Sequence, residues 1–134
     1  MTDLARWSPQ ALALLRIITA LLFMEHGLMK LFDFPAPQPG VPDALPPLLI
    51  AAAVIEVIGG ALIAVGLGTR IAALLCSGEM AVAYFTAHFP HSFWPALNDG
   101  DAAILFCFIF LYLVFAGPGA WSVEALVNRP APAD

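Results

Sequence analysis

A handful of side chains in this sequence have chemistry beyond packing. Arg16, His26 and Lys30 fall in one apolar run, Glu56 in a second, Glu79 in a third, and Asp101 with Tyr112 in a fourth. Fixed cations, carboxylates, an imidazole and a phenol are the groups that hold the polar head of a small ligand or pass a proton. Glu56 stands out, because everything else from Pro47 to Thr69 is apolar or small. A carboxylate so placed is costly in a protein core and in lipid alike, so it demands a partner. Gly59, Gly60 and Gly66 beside it let neighbouring backbones come close.

The elements that must position these groups follow from composition. Of the 134 residues 61% are hydrophobic and 11% charged, with a mean hydropathy of +0.89. A soluble domain is about 45–50% apolar and about 25% charged. This chain cannot cover a water-facing surface and reads as an all-α integral membrane protein. The five basic residues are dispersed and form no patch for nucleic acid. Cys76 and Cys107 lie singly in different apolar runs, which indicates packing rather than a disulfide framework or metal site. The N-terminal run leads into Glu25, His26 and Lys30 rather than a small-residue cleavage site, so it reads as a retained helix.

Four spans are expected, at about 9–32, 47–67, 69–89 and 100–117, each near the ~20 residues that cross a ~30 Å hydrocarbon layer. The stretch 34–47 carries six prolines and reads as an exposed loop. Gly66 and Gly68 make a tight reversal, Pro90 to Gly100 a third connection, and Gly117-Pro118-Gly119 a stop. A short amphipathic segment, 121–127, is expected along the interface before a proline-rich tail. The expected fold is a single-domain antiparallel bundle of four transmembrane helices. Arg6, Arg70 and Arg129 share one side and Lys30 alone the other, which places both termini in the cytoplasm. Trp7, Trp94 and Trp121 fall at span ends, as an interfacial belt would.

At about 100° per helical residue, Arg16, Phe23, Gly27 and Lys30 share a face, with His26 at its border. Ala52, Glu56, Gly60 and Ala64 form a seam on the second span; Ala72, Cys76, Glu79, Ala83 and Thr86 align on the third; Asp101, Leu105, Phe108 and Tyr112 align on the fourth. These stripes are expected to face one another, with Arg16 as counter-ion to Glu56 or Glu79. Three readings of the buried charges stand: a salt bridge fixing helix register, a polar pocket for a proton, quinone head group or other small ligand, and contacts to a partner subunit. Glu25, about opposite Arg16, suits the last. His88, His91 and Asp99 are weaker candidates for a divalent metal, since Asn98 and Asp99 also suit helix N-caps.

Arg16 with H-G-L-M-K-L-F at 26–32, E-V-I-G-G-A-L-I-A-V-G-L-G-T-R at 56–70, Met80 with Ala83 and His88, and G-P-G-A-W-S at 117–122 resembles the DoxX family of small four-helix membrane proteins. The similarity runs along nearly the whole chain in order. At the fourth span this chain has Asp99-Gly100-Asp101 where many relatives have Gly-Gly-Glu. The resemblance implies a bacterial inner-membrane protein, an accessory subunit of a quinone-linked or redox-protective assembly, with family positions carried by Arg16, His26 and Glu56. No motif for haem, flavin or an iron–sulfur cluster is present, so the chain is not expected to be an enzyme on its own, and electrons would come from oxidoreductase partner subunits. The alternatives are a non-catalytic scaffold or assembly protein, self-associating or heteromeric, and, ranked lower, a small-solute transporter.

Overall fold

The computed structural model describes residues 3–128, which are helical with no strand. Arg129 and the proline-rich tail lie outside the described residues. After a 3-10 turn at Leu4–Trp7, helix α1 runs Ser8–Phe32. Helix α2 spans Pro47–Val65 and α3 Thr69–His88; α4 is Asp101–Ala116 and the short α5 Val123–Val127. One further turn, Pro95–Asn98, sits between α3 and α4. Proline opens both α1 and α2, where its missing N–H would have had no helical partner. Gly66 at φ 71° reverses the chain after α2, a conformation few other residues take without strain.

Helices α1, α2 and α3 are each long and apolar enough to cross a membrane. Helix α4 has 16 residues, about 24 Å at 1.5 Å per residue, and is equally apolar. Helix α1 lies along α2, while α3 packs on α4 and on the 55–65 part of α2. Phe23 of α1 sits at the centre, its ring 5.5 Å from Phe106 and 4.8 Å from Phe110 of α4, with Ile63, Ala73 and Cys76 around it. The outer surface is a continuous display of leucine, isoleucine and phenylalanine. Water would not tolerate that display and acyl chains would. The protein is integral to a membrane.

Three expectations from the sequence need correction. The α4 stripe Asp101, Leu105, Phe108 and Tyr112 does not face the other helices: Leu105, Phe108 and Tyr112 are 62%, 65% and 56% exposed, and Ala103, Phe110 and Leu113 are buried instead. Neither Asn98 nor Asp99 caps α4 with its side chain; Asn98 braces its own loop, accepting from the Gly100 N–H and donating to the Ser92 carbonyl, each at 2.8 Å. Finally, α5 does not simply float on an interface. The Glu124 carboxylate accepts from the Thr69 N–H at 2.8 Å, capping the start of α3, and the Glu124 N–H donates to the Gly66 carbonyl at 3.1 Å. An anion suits that end of a helix, where N–H groups lack partners.

Candidate functional site

Lys30, not Arg16, is the partner of Glu56. The Lys30 Nζ donates to both Glu56 oxygens at 2.6 Å, and the two side chains are 9% and 2% exposed. Local sequence explains the contact. Gly27, one turn before Lys30, lies so close to α2 that a Cβ there would come within 2.7 Å of Val57, 2.8 Å of the Ala53 carbonyl and 2.9 Å of the Glu56 Cβ. Gly60 makes the matching approach to Met24 and the Ala20 carbonyl. Two small residues one on each helix draw the backbones together, and the lysine stem then reaches the carboxylate.

Arg16 points elsewhere. It is fully buried, and its Nη1 donates to the carbonyls of Pro118 and, at 3.2 Å, Ala120, while Nη2 donates to the Trp121 carbonyl at 2.8 Å. The chain leaves α4 through Gly117-Pro118-Gly119 and crosses back over α1, where Ala120 N–H meets the Pro9 carbonyl at 3.1 Å. That crossing leaves carbonyls with no helical donor, and a planar fork of N–H groups satisfies several at once. Arg70 does the same for the last turn of α4, donating to Val114 and Phe115 carbonyls at 2.5 and 2.7 Å. The G-P-G stop was the sequence signal for this acceptor cluster.

A cavity of about 670 Å³ opens among α1, α2, α3, the proline-rich loop and the start of α4, a size typical of small-molecule sites. His26, Lys30, Glu56 and Glu79 all line it, beside aromatic and aliphatic walls that include Phe23, Ile55, Met80 and Phe106. Arg16, Asp101 and Tyr112 do not. His88 and Asp99 reach its rim, and His91 does not; among the described residues no three His, Cys, Asp or Glu converge as metal ligands.

The hydrogen bonds already made decide what the lining still offers. Lys30 is committed to Glu56. His26 Nδ1 lies 2.9 Å from the Leu22 carbonyl and His88 Nδ1 2.9 Å from the Asn98 carbonyl. A carbonyl only accepts, so Nδ1 carries the proton in both rings and Nε2 of the neutral ring is an acceptor. Glu79 Oε2 is buried with no hydrogen-bond partner among the described residues. Both cysteines are free; Cys76 is buried, and Cys107 lies beside Ser77, whose hydroxyl donates to the Cys107 carbonyl at 2.9 Å.

Two π-helical turns border the cavity, Ile55–Gly59 around Glu56 and Tyr84–His88 ending in His88. Such turns insert one extra residue and re-aim side chains, often at functional sites. Nothing in the local sequence, I-E-V-I-G or Y-F-T-A-H, signals them.

The sequence model of the DoxX family matches residues 11–89. An uncharacterized protein of Haemophilus influenzae is 41% identical over 128 residues, covering 92% of this chain and 96% of the relative. Inner membrane protein YqjF of Escherichia coli is 30% identical over 125 residues, covering 85% of this chain and 89% of its own. No solved structure matches. The matched span contains His26, Lys30, Glu56 and Glu79, the acids and bases of the cavity, and the chain belongs to the DoxX family.

Proposed function

We propose that this protein is a four-span inner-membrane subunit, with both termini in the cytoplasm, that serves a quinone-linked or related redox assembly through its cavity. The name of the Escherichia coli relative supports the inner membrane. The observation that carries the reading is the cavity itself: apolar walls able to hold an isoprenoid-type tail meet His26, Glu79 and the Lys30–Glu56 pair at one place. Rings of quinone type need both surfaces. The chain would supply binding and proton-handling groups, and partner subunits the electrons. Protein purified from native membranes should retain quinone, and Glu56→Gln should lower turnover of the host complex several-fold. Quinone-free protein together with unchanged turnover would overturn the proposal.

A scaffold role is favoured by Glu25. It is half-buried on α1, and the only ion pair among the described residues is Lys30–Glu56. A membrane carboxylate without an internal partner suits a contact with a neighbouring subunit. Capture of one partner at fixed stoichiometry, lost in Glu25→Ala, would support this reading, and a monodisperse protein without partner would oppose it.

A further inference from the structure

The cavity is open on the side that faces lipid. Leu48 of α2 and Leu74, Leu75 and Val82 of α3 line it, yet they are 66%, 56%, 59% and 54% exposed. Helix α3 packs on the 55–65 part of α2 rather than on Pro47–Val54, so the two helices part toward the proline-rich loop and leave a slot between them. Both rims of the slot are aliphatic. An aqueous solute has no reason to enter there, and a molecule already dissolved in acyl chains does.

The polar end of the cavity is selective in kind. Its one cationic donor, Lys30, directs two of its three N–H groups at Glu56, at 2.6 Å to each oxygen. What remains without a partner is the Glu79 carboxyl, whose Oε2 is buried and unpartnered among the described residues, and the Nε2 atom of His26, whose Nδ1 already donates and which accepts when the ring is neutral. Lys30 and Glu56 cancel in charge, and no second lysine or arginine lines the cavity to neutralise the remaining carboxyl groups, Glu79 and, at the rim, Asp99. In a low-dielectric cavity an unmatched acceptor is costly, and a second anion beside it is costlier.

We infer that the cavity binds a membrane-dissolved amphiphile whose head donates hydrogen bonds and carries no negative charge, a primary amine above all, entering sideways between α2 and α3. The head would sit at Glu79 on the side of His26, and the tail would lie along the aliphatic slot. This rests on the cavity of the redox proposal, with which it shares the reduced, hydroxyl-bearing quinol as a donating head, but it does not depend on electron transfer.

Matched probes test it: dodecylamine, dodecanol and dodecanoate, radiolabelled, in equilibrium dialysis against lipid nanodiscs with and without the protein. Saturable excess binding is expected for dodecylamine, weaker for dodecanol and absent for dodecanoate, with amine over carboxylate by at least about tenfold, equivalent to about 1.4 kcal/mol. Glu79→Leu should weaken the amine by a similar factor. Gly78→Phe should abolish all saturable binding without loss of fold, because a Cβ added at Gly78 meets nothing within 4 Å and Gly78 lines the cavity beside the slot; an unchanged thermal midpoint checks this. Dodecanoate binding as tightly as dodecylamine, or a Glu79→Leu protein with undiminished amine affinity, would overturn the inference. A decyl-quinone probe run alongside separates the two proposals. Quinone binding without amine binding sinks this inference alone, and amine binding without quinone sinks the redox reading alone.

Discussion

Lys30 and Glu56 are two charges removed from both water and lipid, held together at 2.6 Å with side chains 9% and 2% exposed. Each is tolerable only because of the other. Removing one partner strands the second, which costs about 3–5 kcal/mol for a buried pair, whereas replacing both by apolar residues of similar size is near neutral. Lys30→Met and Glu56→Leu should therefore each destabilise the reconstituted protein by that amount, and the double variant should recover most of it. Unfolding in mixed micelles with increasing dodecyl sulfate measures all three. Near-wild-type stability of the single variants would mean that the pair contributes nothing to the fold. The acid was legible in the sequence, because one carboxylate in an apolar run has to be answered. Its partner was not. Arg16 and Lys30 share a helical face, and only the close approach at Gly27 decides that the reach of Lys30 matches.

At the scale of the element, Arg16 works as a clasp. It joins α1 to the segment after α4 by donating to three carbonyls, those of Pro118, Ala120 and Trp121, while Glu124 joins that segment to α3 through the Thr69 N–H. Hydrogen bonds from a charged donor are each worth about 1.5–3 kcal/mol. Arg16→Ala should cost about 3 kcal/mol or more and release residues 117–128, read as faster amide exchange and earlier protease cleavage there; Arg16→Lys, with a point charge in place of the fork, should recover only part. Exchange unchanged across that segment would show that other contacts hold it. The orientation of α4 belongs to the same scale. A helix apolar on every side carries no amphipathic signal, so spacing alone grouped Tyr112 with Asp101, and packing turned Phe110 and Leu113 inward instead.

Across the whole molecule the two ends differ. One gathers the start of α1, the α2–α3 turn and the segment after α4, tied by Arg16, Arg70 and Glu124. The other carries the proline-rich loop, whose Gln38 and Val41 help to line the cavity. Arg6 and Arg70 lie at the first end and Lys30 toward the second; in the proposed topology the first end is cytoplasmic. In a cysteine-free background, Ala36→Cys should react with a membrane-impermeant maleimide on intact spheroplasts and Asn128→Cys only after permeabilisation. The reverse pattern would invert the topology.

The amino-acid sequence alone determined the class of protein and most of the cavity's ionisable groups. Hydrophobic content, proline and glycine breaks and rare charges act locally, and each is visible one residue at a time. Tertiary structure alone decided the pairing of Lys30 with Glu56, the retreat of Arg16 to backbone carbonyls, and the two π turns beside the cavity. Those outcomes depend on how closely two backbones pass and on which of several apolar faces turns inward. In a chain whose surface and core are both apolar, composition does not distinguish them.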